Sequence, residues 1–218
     1  MKINPIITGA TGMVGEGVLH ECLSHPDVGK ILVINRKPCG VSHPRLTEII
    51  HDNFFDLSPV KMQLAGYDSC LFCLGVSSVG KNEAEFTRFT YDLTMHFAKT
   101  VLEVNPGMSF CYISGSGTNA QGKMMWARVK GKTENDLMAL PFKAVYAFRP
   151  GFMKPTAGLK NTLSAYKYFG WLFPLLQTFF SGYVSTLAQL GQAMIRAAAE
   201  GYPKTVLEVK DIVALANK

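Results

Sequence analysis

The sequence predicts an α/β protein built on a doubly wound parallel sheet, with a small C-terminal helical lobe for a substrate, on three observations. A β-branched run at residues 6–8 leads into Gly9, Gly12 and Gly15, and a helix-period stretch follows at once. Short apolar runs then alternate with helix-period stretches over about 150 residues, and no repeat or low-complexity linker interrupts them. The chain has 218 residues. That length fits one domain, 1–218, in which residues 153–218 contribute the lobe.

The composition is typical of a folded protein that binds small anions. Hydrophobic residues make up 48% of the chain and charged residues 17%, which is enough apolar surface for a full core. The net charge is +6, and the basic residues are scattered, with no run of five or more. This pattern favours anionic ligands over a nucleic-acid partner, and no nucleic-acid-binding motif occurs.

The cysteines indicate a reducing compartment. There are five, an odd number, and the N-terminus runs straight into the glycine motif with no signal peptide before it. We therefore expect a cytoplasmic protein. Cys70 and Cys73 form a CxxC spacing, but they lie in an apolar strand-like run, where residues three apart point to opposite faces. This favours buried core thiols, and we predict no metal site.

The first strand begins at Pro5 and ends in the glycine turn, which opens a helix predicted over residues 13–25. Gly9 allows a sharp turn, Gly12 allows the backbone to approach a phosphate, and Gly15 allows the helix to pack tightly on the strand. The free N–H groups and the positive end of that helix then favour an anion. The sequence therefore predicts a nucleotide-phosphate site at this turn.

The second strand, residues 31–34, is followed by Asn35, Arg36 and Lys37. In a dinucleotide-binding domain this position meets the adenosine ribose, where an acidic residue binds the 2′-hydroxyl of NAD. The basic residues here suit a 2′-phosphate instead, so we favour NADP, with NAD as the alternative. A solvated basic turn is the other interpretation of either basic side chain.

The middle of the chain continues the alternation of strands and helices. Residues 46–50 predict a third strand and 70–74 a fourth, whose carboxyl end carries residues 75–78, where we expect the cofactor pyrophosphate or ribose. Asn82 and Glu85 form a capping signal for a helix that runs to about Asn105. Apolar residues at helical spacing make that helix part of the core; they are Phe86, Phe89, Leu93, Phe97 and Leu102.

A fifth strand at 110–113 ends in residues 114–118, and a helix containing 126–134 follows. A sixth strand at 145–148 ends in the Arg149-Pro150-Gly151 turn. In the C-terminal part, 185–199 predicts a helix, 206–209 a last strand, and Asp211 the start of a closing helix.

The motif over residues 8–15, T-G-A-T-G-M-V-G, resembles the cofactor loop of extended and atypical short-chain dehydrogenase/reductases. These proteins bind NAD(P) on a Rossmann fold, and the resemblance covers roughly residues 2–152. Cys73-Leu74-Gly75 and the Arg-Pro-Gly turn are similar to the atypical branch that contains Tat-interacting-protein-like and NmrA-like proteins. The resemblance implies cofactor contacts at Gly9, Thr11, Gly12, Met13, Val14, Gly15, Cys73, Leu74, Gly75, Pro150 and Gly151.

The same resemblance assigns the adenine contact and the catalytic positions. Asn53 and Phe54 would contact the adenine, with Asp52 as the alternative if the register differs by one. Ser114 precedes Trp126 by twelve residues and Lys130 follows it by four, the spacing of the family's Ser and Tyr-x-x-x-Lys. Lys130 would bind the nicotinamide ribose, and Ser114 the substrate oxygen.

Trp126 occupies the position of the family's proton-transferring tyrosine. An indole N–H is only a donor and does not titrate near neutral pH, so it cannot relay a proton. Trp126 lines the substrate pocket in one interpretation and packs in the core in the other. Likewise, Ser114 is either a substrate contact or a strand-end hydroxyl, and Lys130 either a cofactor ligand or a solvated lysine.

The stretch 166–180 is unusually aromatic, and Pro174 breaks it, so it is too short for a transmembrane helix. It is a substrate lid, a surface for a homodimer or protein partner, a peripheral membrane contact, or core. Two functions stay open. The first is an NADP-dependent oxidoreductase or epimerase-like enzyme acting on an apolar or mixed small molecule. The second is a non-catalytic NADP(H)-sensing protein that presents its aromatic stretch to a partner.

Overall fold

The computed structural model describes residues 2–161 and 182–218 and contains a seven-stranded parallel sheet. The strand order is β3-β2-β1-β4-β5-β6-β9, and every pair is parallel. This order confirms the doubly wound α/β fold. The strands are β1 (Pro5–Thr8), β2 (Ile31–Asn35), β3 (Leu46–Ile50), β4 (Ser69–Phe72), β5 (Ser109–Ile113), β6 (Ala144–Arg149) and β9 (Val206–Glu208).

Helices cover both faces of the sheet. They are α1 (Met13–Ser24), α2 (Glu83–Thr87), α3 (Leu93–Val104), α4 (Met125–Met138), α5 (Leu187–Glu200) and α6 (Val209–Ala216), with a 3₁₀ turn at Lys61–Leu64. Asn82 caps α2 as predicted, because its side-chain oxygen accepts the N–H of Glu85 at 2.9 Å. The single helix predicted from there to Asn105 is instead interrupted by a π-helical turn, Arg88–Asp92. Such a wider turn leaves the apolar spacing almost unchanged, so periodicity does not reveal it.

Two apolar clusters fill the space between the sheet and its helices. On one face Ile7 and Leu71 pack with Leu19 of α1 and Leu187 of α5. On the other face Phe72 packs against Phe97 of α3 and Phe110 of β5, with ring centroids 5.4 and 5.7 Å apart. The central strands β1, β2 and β4 are therefore buried at every residue, which is why they are mainly apolar.

The described C-terminal residues complete this core. β7 (Phe152–Lys154) pairs in parallel with β8 (Val184–Thr186), a small second sheet that the sequence does not predict. Ser185 belongs to β8, so the helix predicted from 185 begins at Leu187, where Thr186 and Gln189 form a capping box. β9 pairs with β6, and α5 lies against α1. The aromatic stretch 166–180 lies outside the described residues, within which no helix is long and apolar enough to cross a membrane.

Candidate functional site

In the turn after β1, a different structural constraint explains each of the three glycines. Gly9 has φ +71°, and a Cβ there would lie 2.9 Å from the carbonyl carbon and oxygen of Cys73. A Cβ on Gly15 would lie 2.2 Å from the carbonyl oxygen of Gly9, so only glycine lets α1 sit this close to the turn. A Cβ on Gly12 would meet only that same oxygen, at 3.5 Å, and otherwise open space.

The amino-terminal end of α1 faces this open space. Gly12 is the N-cap residue and has no side chain to satisfy the first-turn N–H groups of Met13 and Val14, which have no partner within the helix. Aligned peptide dipoles add partial positive charge at the same end. The turn therefore offers backbone donors and a favourable field to an anion.

Thr8 joins the glycine turn to the neighbouring strand end. Its buried hydroxyl oxygen accepts the N–H groups of both Cys73 and Leu74 at 3.1 Å. These two bonds end β4 at Phe72 rather than at Leu74, where the sequence predicts the strand end. They also bring residues 73–76 beside α1, and a cavity of about 290 Å³ separates the two segments. The motif over residues 8–15 includes Thr8, but the sequence does not predict this contact with residues 73 and 74.

The last residue of β2, Asn35, is a buried amide, and the next two residues are exposed cations. The Asn35 side chain is internal, because its oxygen accepts the N–H of Ala10 at 3.1 Å and its amide donates to Glu48 at 3.3 Å. It positions the glycine turn against β2. Arg36 and Lys37 are exposed and, with Thr11, line a second cavity of about 900 Å³.

A third cavity of about 500 Å³ lies between the end of β3 and α3. Asp52 and Asn53 are exposed at its rim, and the Asn53 side-chain oxygen accepts the N–H of Phe55 at 3.1 Å. The Phe54 ring is 3% exposed and stacks on Phe97 in the core, with centroids 6.1 Å apart. The half-buried ring on the cavity wall is that of Phe55, edge-on to Phe89. Phe54 and Phe55 both line this cavity, and the Phe55 ring is the more exposed of the two.

These cavities share lining residues, so they form one groove across the carboxyl ends of the strands. Arg36 and Asp52 line both the second and the third cavity. Leu74, Gly75 and Val76 line both the third and the first. The groove therefore runs from the basic residues after β2, past the glycine turn, to the end of β5.

Lys130 lies at the β5 end of the groove. Its ammonium donates to the carbonyl oxygen of Ile113 at 3.1 Å and lies 5.4 Å from the centre of the Tyr112 ring. Burial lowers the pKa of Lys130 to about 8, although the nearby Glu134 carboxylate raises it. Lys130 and Ile113 line the first cavity together with residues 12–15 of the glycine turn.

Trp126 lies one turn before Lys130 on α4, and Ser114 begins the loop after β5. Ser114 is buried, and its hydroxyl lies 3.0 Å from that of Thr118, a partner that sequence reasoning misses. The half-buried Trp126 ring covers the loop, with ring carbons 3.7 and 3.6 Å from where Cβ atoms on Gly115 and Gly117 would lie. The indole therefore lies over the two loop glycines, and Lys130 is the member of the predicted trio that lines the first cavity.

A buried ion pair supports this end of the groove. Arg149 donates to both carboxylate oxygens of Glu134, at 2.9 and 2.5 Å, and also to Glu208 at 3.0 Å. Pro150 is buried, and a Cβ on Gly151 would lie 2.1 Å from the carbonyl oxygen of Tyr183. Position 151 therefore requires glycine because its backbone lies close to Tyr183, the residue that precedes β8.

The thiols do not form a cluster with metal-ligand geometry. Cys70 packs on one face of the sheet and Cys73 against the other, and burial raises the pKa of both. Among residues 2–161 and 182–218, no group of three or more His, Cys, Asp or Glu side chains could hold a metal ion.

Comparison with known proteins identifies distant relatives. No family model matches the chain. Protein FMP52-2, mitochondrial, of Scheffersomyces stipitis is 25% identical over 236 aligned positions that cover 100% of both chains. Protein FMP52-1, mitochondrial, of the same yeast is 24% identical, covering 93% of this chain and 91% of the relative. These names contradict the predicted cytoplasmic localisation, which is wrong because reduced thiols do not distinguish the cytoplasm from other reducing compartments.

Solved structures show the same fold. A short-chain dehydrogenase/reductase from Saccharomyces cerevisiae has a TM-score of 0.69 at 15% identity, covering 100% of this chain and 99% of that one. ADP-L-glycero-D-manno-heptose-6-epimerase from Helicobacter pylori scores 0.68 at 14%, covering 99% and 81%. The Bordetella bronchiseptica enzyme WbmF in complex with NAD+ scores 0.65 at 13%, covering 99% and 78%. The chain has the fold of short-chain dehydrogenase/reductases and the epimerases related to them.

Proposed function

We propose that the groove binds a nicotinamide dinucleotide and that the protein is an oxidoreductase or epimerase-like enzyme acting on an apolar or mixed small molecule. The observation that carries this proposal is the continuity of the groove. It has the anion-binding turn at the start of α1 on one side and Lys130 on the other. In open parallel sheets, ligands lie at this edge. WbmF, which has the same fold, was solved with NAD+.

The residues present fit such a cofactor. The open space over Gly12 and the N–H groups of Met13 and Val14 suit the pyrophosphate. Arg36 and Lys37 suit a 2′-phosphate, and on that ground we propose NADP rather than NAD.

The cavity beyond Arg36 suits the adenine. Asn53, Phe54 and Phe55 line it. The remaining predicted cofactor residue of this region, Asn35, acts by positioning the glycine turn.

At the β5 end, the chain supplies two donors and one titratable group. When bound, the nicotinamide provides hydride transfer. Lys130 holds its proton near neutral pH and donates to the ribose, while the Ser114 hydroxyl donates to a substrate oxygen. The Trp126 indole polarises a carbonyl but cannot release a proton. Proton transfer at this end therefore depends on Lys130 rather than on a phenol.

The second candidate function is a non-catalytic NADP(H)-sensing protein, and Trp126 is the observation that favours it. Loss of a positioned general acid typically lowers a rate by about 10²–10⁴-fold, whereas cofactor binding by Lys130 and the glycine turn does not need that acid. Under either function we infer a mitochondrial protein, because the FMP52 relatives carry that designation.

One titration and one assay separate these functions. Protein fluorescence is followed during titration with NADPH and NADH, and cofactor oxidation is then measured with a panel of aldehydes and ketones. Binding with turnover supports the enzyme, and binding without turnover on any carbonyl supports the sensor. If neither nucleotide binds, both functions are wrong.

A single substitution tests the proposed preference for NADP over NAD. We expect Arg36→Ala to weaken NADPH binding about tenfold and NADH binding less than twofold, since only NADPH carries the 2′-phosphate. Equal losses for both nucleotides would contradict the role proposed for Arg36.

A further inference from the structure

Lys160 reaches the basic end of the groove from the far end of the sequence. The segment 158–161 crosses α1 just after Gly158, which has φ +86°. Leu159 packs against the apolar cluster beneath α1 and α5. Lys160 and Asn161 then line the 900 Å³ cavity that Thr11 and Arg36 also line.

A buried carboxylate holds this segment in place. Glu16, in the first turn of α1, is 5% exposed, and its two oxygens accept the backbone N–H groups of Lys160 and Asn161, both at 2.8 Å. A buried carboxylate is tolerated only when hydrogen bonds satisfy it, and the helix N-terminus adds favourable charge. The contact therefore fixes the backbone from which the Lys160 side chain extends.

The Lys160 ammonium lies over the loop that carries the other two cations. It is 3.8 Å from where a Cβ on Gly40 would lie, and the same cavity is lined by Arg36 and Lys37. Among the residues that the structure describes, the charged side chains lining this cavity are three cations and one carboxylate, Asp52. Like charges brought together repel one another, so the arrangement favours an anion with more than one negative charge.

We propose that Lys160 is a specificity-determining residue that, with Arg36 and Lys37, binds a phosphomonoester on the adenosine ribose. Glu16 is its positioning residue. This inference rests on the proposed function, since it takes the same groove and the same dinucleotide. A ribose phosphomonoester carries close to two charges near neutral pH, which one exposed cation pairs with poorly. The guanidinium of Arg36 supplies paired donors, and the two lysines supply point charges.

The proposal separates two kinds of phosphate along the groove. The pyrophosphate lies at the start of α1, where backbone N–H groups bind it, so Lys160 contributes little there. The 2′-phosphate lies beyond Thr11, among the three cations. Lys160 therefore affects only ligands that carry the second kind of phosphate.

The test uses small probes that differ by that phosphate alone, adenosine 2′,5′-bisphosphate and adenosine 5′-monophosphate, in calorimetric titrations of the full chain. We expect Lys160→Ala to weaken the bisphosphate about tenfold and to leave the monophosphate within about twofold. Lys143→Ala is the matched control, because Lys143 is exposed at the opposite edge of the sheet, before β6. It removes the same charge and should change neither affinity.

Glu16→Gln tests the positioning role by the sign of its effect. Removing a negative charge beside the groove should strengthen anion binding if electrostatics alone decide. In this variant an amide NH2 group replaces one of the two carboxylate oxygens and cannot accept the N–H that this oxygen accepts, so the positioning role predicts weaker bisphosphate binding. In the Lys160→Ala background Glu16→Gln should then cause no further loss of that affinity.

The outcomes distinguish this proposal from the function on which it rests. If the wild-type chain binds neither NADPH nor NADH, the proposed function is wrong. If it binds NADPH and Lys160→Ala binds the bisphosphate equally well, only the role of Lys160 is wrong. Equal weakening of both probes would make Lys160 a general anion contact and would also overturn its role in specificity.

Discussion

The two ends of the groove differ in the chemical groups that form their surfaces. Around the glycine turn the surface is backbone, formed by three glycines, the first-turn N–H groups of α1 and the strand end held by Thr8, with the side chains of Arg36, Lys37 and Lys160 beyond it. At the β5 end it consists of the side chains of Ser114, Trp126 and Lys130. Backbone geometry is specified by the spacing of glycines, whereas the chemistry of a side-chain site changes with one residue. The glycine spacing and the side chains at the β5 end can therefore change independently of each other.

Charge differs between the ends in the same way. Arg36, Lys37 and Lys160 are exposed at the phosphate end, where water moderates their repulsion. At the β5 end the Glu134–Arg149 pair is buried and acts on Lys130, whose pKa burial lowers. If the groove binds a nucleotide as proposed, binding at the first end should depend on salt, and proton transfer at the second should depend on the burial of Lys130.

The largest change that we expect converts the β5 end to the family's pattern. Trp126→Tyr places a phenol four residues before Lys130, on the same helical face. If the missing proton donor limits the reaction, the rate of NADPH oxidation with a carbonyl substrate should rise about 10²–10⁴-fold, with nucleotide affinity unchanged. Steady-state assays with the carbonyl panel measure this rate.

Trp126→Phe is the control, because it also replaces the indole with a smaller, six-membered ring but adds no hydroxyl. Equal rates in both variants would attribute any gain to space rather than to the phenol. An unchanged rate in Trp126→Tyr with every carbonyl would indicate that the β5 end lacks more than a proton donor. More than one residue at this end would then account for its difference from the other end.

A smaller effect is expected from the glycine on which α1 rests. In Gly15→Ala the new Cβ would lie 2.2 Å from the Gly9 carbonyl oxygen, and backbone atoms on both sides resist movement. We expect the free energy of unfolding to fall by about 3 kcal/mol, with nucleotide binding lost as the turn shifts. Denaturant unfolding and fluorescence titration measure the two effects. Unchanged stability would contradict the close packing of α1 on the turn.

Gly12→Ala separates binding from folding at the same turn. Its Cβ would meet only the Gly9 oxygen, at 3.5 Å, and would project into the open space. We expect stability to change by less than about 1 kcal/mol. Affinity for NADPH and NADH should fall about tenfold, because the methyl group occupies the space of the pyrophosphate. A variant that binds both nucleotides normally would show that the anion lies elsewhere.

The sequence predicts the phosphate end better than the contacts that support it. The roles of Gly9 and Gly15 follow from spacing, and the sheet follows from the alternation of apolar runs. The internal role of Asn35 and the contact of Glu16 with residues 160–161 do not follow, because their partners are distant in sequence. The sequence also does not show that the Phe54 ring is buried in the core while the Phe55 ring is half-buried, because adjacent residues after a strand can face opposite sides.

The smallest effect that we expect is a dependence of binding on pH at the β5 end. The pKa of Lys130 is about 8 in the folded protein, against about 10.4 for an unperturbed lysine. Its ammonium is thus lost as the pH rises from 7 to 9, and a charged donor is stronger than a neutral one. We expect nucleotide affinity to fall roughly threefold over this range in the wild type. It should stay constant in Lys130→Arg, which remains charged.

The contribution of Lys130 to the free energy of unfolding should rise with pH, whereas nucleotide affinity falls. Because the pKa of Lys130 is lower in the folded than in the unfolded chain, the unfolded chain binds more protons between about pH 8 and 10.4, and this group's contribution to the free energy of unfolding rises over that window. The buried thiols contribute in the other direction, since burial raises their pKa. The informative quantity is therefore the difference between wild type and Lys130→Met, which should increase with pH. A difference that does not vary from pH 7 to 10 would mean that Lys130 titrates as an exposed lysine, and the electrostatic contrast between the two ends of the groove would be lost.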